Sequence, residues 1–204
     1  MKAFKILISI FFILVSINIH ATSISREDAV DLYDNLNLEK SLDKKVFLKA
    51  YYAYARNHGI NEILTVIDYT KPSTQKRFFV IDMKNEKVLF DTYVTHGKNS
   101  GLKYSSRFSN KMNSLETALG TFITENTYYG SNGYSLRLKG ISQGLNNNAY
   151  RRNIVVHGAA YADPSVIKQI GRLGRSWGCP AVPAYLAHRI INTIKNGTVI
   201  YAYG

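Results

Sequence analysis

The sequence is poor in cysteine and in acidic residues. Its 204 residues include one cysteine, and 14 Asp and Glu stand against 26 Lys and Arg, which gives a formal net charge of +12. We find no zinc-finger spacing, RNA-binding aromatic motif or recognition-helix pattern, so nucleic acid is not the expected partner. The positive charge instead predicts an anionic polymer such as cell wall, or a lipid surface. The alternative is that the charge mainly serves solubility.

A long hydrophobic run occurs only at the N-terminus. Lys2 and Lys5 precede an apolar stretch at 6–17, and Ile19-His20-Ala21 offers a cleavage site, so residues 1–21 are expected to be a signal peptide. An uncleaved anchor is the alternative, although a membrane span needs about 20 apolar residues. No cysteine lies near the cleavage site, which excludes lipoprotein processing. We expect an exported protein of the periplasm or cell envelope without a stable membrane span, and with a charge of +10 once two lysines are lost.

Composition and periodicity predict a mainly β protein with a few helices, an α+β fold. Apolar residues make up 46% of the chain, as in folded globular proteins. Helical spacing predicts a helical segment within residues 22–60, with its second helix at 42–57, and another helix at 184–195. From residue 61 onwards, β-branched and aromatic residues predict mostly antiparallel strands. These strands are expected at 63–69, 77–83, 88–94, 120–125, 135–139, 153–157 and 198–203.

The single cysteine lies in a setting that favours chemistry. Cys179 directly follows Gly178, and His157 ends the β-branched run 154–156, which is typical of a buried strand. An imidazole can take the proton of a thiol, and a glycine allows a sharp turn and the close approach of a substrate. The pattern predicts Cys179 as a nucleophile and His157 as its base. The alternative is a buried structural cysteine beside a satisfied core histidine.

Several ordered motifs carry a resemblance to a known family. His157-Gly158, followed after seventeen residues by Ser176-Trp177-Gly178-Cys179, resembles the signature of the YkuD-type murein L,D-transpeptidase catalytic domain. The resemblance covers roughly residues 60–204 and includes the segments 96–101, 108–110, 119–122, 135–138 and 171–176. It implies that residues 61–204 form a catalytic domain with a YkuD-like β-sandwich or barrel-like fold.

The resemblance also implies a reaction on peptidoglycan stem peptides. Cys179 would attack the carbonyl of the third-position diamino acid and expel the terminal D-alanine, while His157 would take the thiol proton. The thioester would then pass to an acceptor amine, which forms a cross-link, or to water, which trims the peptide. No metal or organic cofactor is required by this chemistry.

The resemblance and the local sequence suggest further site residues. Backbone N–H groups around Gly178 and Cys179 are natural donors to an oxyanion. Ser176 either bonds near the thiol or shapes the turn, and the loop that begins at His96 is expected to contribute to the pocket. A zinc site made of His96, His157 and Cys179 is the alternative, but their spacing does not support it.

One position departs from the family pattern. The family usually has an arginine two residues after the cysteine, where this chain has Ala181. Arg175 and Arg152 are the candidates to replace its charge, and altered substrate choice or weaker transpeptidation is the alternative.

Two other function classes compete with the transpeptidase. One is another exported cysteine enzyme, either sortase-like or a wall endopeptidase. The papain-like order, cysteine before histidine, is reversed here, and sortases separate the two residues more widely. The other is a noncatalytic, basic wall-binding domain on a degenerate enzyme scaffold. Oligomeric state is not predicted by the sequence.

Overall fold

The computed structural model describes residues 25–57 and 61–204, and the predicted signal peptide at 1–21 lies outside them. The helices are α1 (Arg26–Asn35), α2 (Lys44–Asn57), α3 (Ser165–Ile170) and α4 (Ala184–Ile194), with a short 3-10 helix at Ala160–Ala162. The strands are β1 (Ile63–Asp68), β2 (Phe78–Asp82), β3 (Lys87–Thr92), β4 (Gly120–Gly130), β5 (Gly133–Gly140), β6 (Val155–Ala159), β7 (Ala181–Pro183) and β8 (Val199–Tyr203).

All eight strands belong to one sheet with the order β3-β2-β1-β8-β4-β5-β6-β7. The β1–β8 and β6–β7 pairs are parallel and the others antiparallel. Residues 95–98 leave β3 and reach the opposite edge, where Thr95 N–H donates to the carbonyl of Ala181 at 2.9 Å. Gly97 also pairs with Ser176. The sheet is therefore nearly closed into a barrel, and the predicted mainly β, barrel-like α+β fold is confirmed.

Alternating side chains of the sheet fill two separate cores. In β2, Phe78 and Val80 belong to one cluster and Phe79 and Ile81 to the other, because successive residues of a strand point to opposite faces. The first cluster includes the apolar face of α4, whose Ile190, Ile191 and Ile194 are fully buried. A strand covered on both faces reads as a continuous apolar run, and β2 does so.

The N-terminal helices cover the second core. Ser25 caps α1 by accepting a hydrogen bond from Glu27 N–H at 3.0 Å, and Phe47 of α2 is fully buried beside Leu64 and Val199 of the sheet. These helices share their core with the strands of the sheet. The domain boundary expected at residue 60 stays a prediction. In the part of the chain that the structure describes, no helix has the length and hydropathy to cross a membrane.

Three short elements were not predicted. They are the 3-10 helix, α3 and β7, which contain 3, 6 and 3 residues. Elements this short carry no usable apolar period, and β7 includes Pro183 and is defined by pairing with a distant strand. Yet β7 is the strand that positions the cysteine loop.

We expect Phe47→Ala to lower the free energy of unfolding by about 3–5 kcal/mol, because it leaves a cavity between α2 and the sheet. Lys45→Ala on the exposed face of the same helix is the matched control, with a change within about 0.5 kcal/mol. Urea denaturation measures both values. Equal stability of the two variants would show that α2 is not part of the cooperative core.

Candidate active site

Parallel pairing of β6 with β7 brings the predicted nucleophile and base together. His157 is the register partner of Ala181, which lies only two residues after Cys179. On its other side, β6 pairs with β5, where Ser135 is the partner of His157. The imidazole is therefore carried by a strand that is bonded on both sides, and Cys179 enters the site from the loop that leads into β7.

The cysteine loop is held by the side chain of Ser176. Its hydroxyl donates to the carbonyl of Cys179 at 2.6 Å and accepts a bond from Gly178 N–H at 3.1 Å. The backbone of Ser176 is also fixed, since its N–H donates to His96 O at 3.0 Å and its carbonyl accepts from Lys98 N–H at 2.8 Å. Ser176 thus hydrogen-bonds to the main chain of Cys179 and shapes the turn at the same time.

Gly178 has two reasons to be glycine. Its φ of 121° lies in a region that L side chains rarely adopt. A Cβ at this position would also lie 2.8 Å from the carbonyl oxygen of Glu116. The N–H of Gly178 already donates to Ser176, so a bond to an oxyanion would have to replace that bond. Among the described residues, none accepts a hydrogen bond from the N–H of Trp177 or Cys179, so both donors of the cysteine loop remain open.

Cys179 and His157 line the same cavity, which has a volume of about 740 Å³. Cys179 exposes only 8% of its surface and His157 only 3%. Further lining residues come from the loop before β6, the tip of the β4–β5 hairpin, the loop after β3 and the cysteine loop; they include Asn113, Tyr128, Asn132, Arg151 and Trp177. The thiol is largely buried, but the cavity gives access to it.

The hydrogen bond of His157 sets its tautomer. Nδ1 lies 3.0 Å from the carbonyl oxygen of Gly158, and because a carbonyl only accepts, Nδ1 carries the proton. Nε2 is then the unprotonated nitrogen and can act as a base. Burial lowers the pKa of His157 and outweighs the opposing effect of the Gly158 bond, so the neutral ring is favoured near pH 7.

The Cys179 thiol is also neutral at rest. Burial raises its pKa, while the N–H of Val155 and the charge of Arg152 act in the opposite direction. The thiol donates to the carbonyl of Asn153, with 3.5 Å between sulfur and oxygen. Burial therefore favours a neutral thiol and a neutral imidazole over a preformed thiolate–imidazolium pair.

His96 lies outside the cavity lining. Its side chain is fully buried, with Nδ1 at 2.8 Å from Arg77 Nη2 and Nε2 at 3.3 Å from the carbonyl of Gly101. Burial and the Arg77 charge lower the pKa of His96 to about 4, so it is neutral. The main chain of His96 instead supports the cysteine loop, because its carbonyl accepts a hydrogen bond from Ser176 N–H. Within residues 25–57 and 61–204, no three His, Cys, Asp or Glu side chains are grouped as metal ligands.

Both candidate arginines line the cavity. Arg152 is held by the carbonyl of Ser109, by Ser114 Oγ at 3.0 Å and by the carbonyl of Glu116 at 2.6 Å. Its positive charge lowers the pKa of the Cys179 thiol, against the larger effect of burial. Arg175 Nη1 donates to the carbonyls of Lys98 and Gly101 at 2.7 and 3.2 Å. Ala181, at the family arginine position, is fully buried.

The sequence interpretation missed several residues of the site. Tyr161 lies in a T-shaped contact with His157, with ring centroids 6.5 Å apart, and no local pattern in the sequence indicated this contact. Asn153 has a positive φ of 54° and presents its carbonyl to the thiol. Trp177, 72% exposed, stands at the cavity beside Lys98, whose Nζ lies 5.7 Å from its ring centroid.

A family model described as L,D-transpeptidase catalytic domain, of the YkuD type, matches residues 38–203. Because the match includes most of the chain, the protein belongs to this family, and the resemblance seen in the sequence is confirmed. No curated protein sequence matches the chain significantly.

Solved structures show weaker likenesses. An L,D-transpeptidase from Mycobacterium smegmatis is 17% identical with a TM-score of 0.43, over 70% of this chain and 59% of that one. L,D-transpeptidase 1 from Mycobacterium tuberculosis is 16% identical with a TM-score of 0.39, over 70% and 62%. The helical cell shape determining protein Pgp2 from Campylobacter jejuni is 14% identical with a TM-score of 0.47, over 71% and 48%. The chain thus spans less than two thirds of each of these proteins.

We expect Gly178→Ala to displace the cysteine loop, because the new Cβ meets the Glu116 carbonyl in addition to the strained φ. The melting temperature should fall and alkylation of Cys179 should change at least severalfold. Gly144→Ala is the control, since Gly144 has a φ of 77° but a methyl group added there would have nothing within 4 Å. If both variants behave alike, the close approach at Gly178 has no role in holding the loop.

The alkylation rate of Cys179 by iodoacetamide is expected to rise about tenfold per pH unit between about pH 6 and 8. The reason is that the thiol pKa is raised, so the reactive thiolate is a small fraction that grows with pH throughout this range. Glutathione, measured in parallel, supplies the behaviour of an ordinary thiol. A pH-independent rate in the acid range would instead reveal a resting thiolate–imidazolium pair.

Proposed function

We propose that this protein is an exported peptidoglycan L,D-transpeptidase that works through a Cys179 thioester. The observation that carries the proposal is the placement of Cys179 and His157 in one cavity, with Nδ1 of His157 bonded to Gly158 and Nε2 unprotonated. Membership of the L,D-transpeptidase catalytic domain family supports peptidoglycan as the substrate. The basic charge of the chain suits an anionic wall polymer.

In the first step, His157 Nε2 takes the thiol proton while the sulfur attacks the donor carbonyl at the third-position diamino acid. Proton transfer and attack occur together, because both groups are neutral at rest. In this proposal the open N–H groups of Trp177 and Cys179 stabilise the negative oxygen that forms, a contribution of about 10²–10³ in rate for one donor. Collapse of this intermediate breaks the peptide bond, and the imidazolium returns its proton to the amine of the departing D-alanine.

In the second step, neutral His157 takes a proton from the acceptor amine as that nitrogen attacks the thioester. The carbon–sulfur bond breaks, a new amide forms, and the proton returns to sulfur. Water in place of the amine gives a trimmed peptide. The hydrogen bond from Nδ1 to the Gly158 carbonyl stabilises the imidazolium in both steps. The bond fixes the orientation of the ring, and the positive charge of the imidazolium strengthens the bond.

Arg152 supports the first step from behind the cysteine loop. Its guanidinium is fixed by three acceptors, and its positive charge favours the sulfur anion as the proton leaves. We propose that Arg152 supplies the charge that the family places at position 181. Residues 1–21 are proposed to direct export before they are removed.

We expect Cys179→Ala to abolish D-alanine release from a stem tetrapeptide, and His157→Gln to reduce kcat/KM by about 10²–10⁴. Wild-type protein should show the mass of a thioester, and Cys179→Ala should not. His188→Gln is the matched control, because His188 is exposed on α4 and stacked on Tyr134. Wall-remodelling activity that survives in Cys179→Ala would overturn the proposal in favour of a noncatalytic wall-binding domain.

A carbapenem is expected to acylate Cys179, since its strained ring carbonyl meets the same nucleophile. Intact-mass analysis of the folded mature protein should show one covalent adduct that Cys179→Ala lacks. An unmodified mass in protein whose thiol still reacts with iodoacetamide would count against the transpeptidase.

A further inference from the structure

The cavity that contains Cys179 is lined by positive side chains without negative ones. Arg151, Arg152 and Arg175 are among its lining residues, and no aspartate or glutamate of the described chain is. A concave site with charges of one sign attracts a ligand of the opposite sign.

Within the described chain, none of the three charges is neutralised by an ion pair. The ion pairs of the described residues are Lys44–Asp34, Lys76–Asp91 and Arg107–Glu116. Arg152 and Arg175 bind neutral oxygens, mostly main-chain carbonyls. Glu116 has a favourable electrostatic effect on Arg152, but its carboxylate lies 3.5 Å from Arg107 Nε.

The arginines differ in what they leave for a ligand. Arg152 is packed behind the cysteine loop, where its Nη2 lies 3.4 Å from the position that a Cβ added at Gly178 would take. Its guanidinium donates hydrogen bonds to three acceptors. Arg175 uses only Nη1, so Nε and Nη2 remain available. Arg151 is exposed, and no described residue accepts a hydrogen bond from its guanidinium. Free guanidinium edges of this kind bind carboxylates in a bidentate manner.

We propose that Arg151 and Arg175 bind carboxylates of the donor stem peptide, so that the site selects a donor with free carboxylates over an amidated one. This inference rests on the proposed function for the identity of the donor. A stem tetrapeptide has carboxylates on its second residue, on its diamino acid and at its terminal D-alanine, and amidation removes both the charge and one acceptor oxygen. The two arginines thereby determine substrate choice without taking part in the proton transfers.

Binding is tested apart from catalysis, in a Cys179→Ala background. Isothermal titration compares two synthetic tetrapeptides that differ only in free or amidated carboxylates on the second and third residues. We expect the free peptide to bind about tenfold more tightly or better, with the difference reduced severalfold in Arg151→Gln and in Arg175→Gln and by added salt. Arg189→Gln on α4, where the guanidinium packs over Phe90, should retain the full difference.

Equal affinity for the two peptides, no binding of either at millimolar concentration, or undiminished selectivity in both variants would overturn the inference. Arg151→Lys, which keeps the charge, should retain part of the selectivity and thereby separate charge loss from misfolding. D-alanine release by the intact enzyme tests the proposed function independently. Equal D-alanine release from both peptides would overturn the proposed selectivity but not the transpeptidase function. Selective binding without any D-alanine release would overturn the transpeptidase function but not the selectivity.

Discussion

The site depends on the backbone pairing of residues 176–181 on two sides. On one side β7 pairs in parallel with β6, and on the other the same segment bonds to residues 95–98. These hydrogen bonds leave little freedom for β6, which carries His157, and for the loop before β7, which carries Cys179. The Ser176 hydroxyl also fixes the main chain of Gly178 and Cys179. The position of Cys179 therefore follows from the strand pairing and from this side chain.

The near closure of the sheet also explains why Arg77 and His96 are buried away from the cavity. The guanidinium of Arg77 is fully buried and holds the carbonyls of Lys71 and Val94 together with His96. A buried charge of this kind is tolerated because all its neighbours accept hydrogen bonds. It ties β2 to the segment 94–97, which in turn pairs with the cysteine loop. His96 therefore belongs to the support of the site and not to its surface.

Burial determines how the proposed reaction begins. Removing the thiol and the imidazole from water disfavours both charged forms, so the pair rests neutral and separates charge only as a substrate carbonyl is attacked. A raised thiol pKa also keeps reactive thiolate scarce at rest, which protects the sulfur from oxidants. The arginines that line the cavity have the opposite effect, because their positive field favours an anion, which in the proposed reaction is the sulfur or an acidic donor.

Local sequence was sufficient for the long elements and for the two central residues. Local preferences of the chain are expressed in the apolar run of β2, in the helical period of α4, and in the Gly-Cys turn that follows a β-branched strand ending in histidine. Local sequence could not predict three other features: the short strand β7, the burial of His96, and the hydrogen bond from Gly178 N–H to Ser176. The first two arise from contacts between segments about 20 residues apart, and the third is a side-chain bond within a turn, none of which the local period of a sequence encodes. The sequence by itself determined the strand-rich fold and the positive charge, and it singled out Cys179 and His157 as the candidate pair. Only the tertiary structure decided which arginines meet the cavity, because that depends on how the closed sheet brings distant loops to one edge.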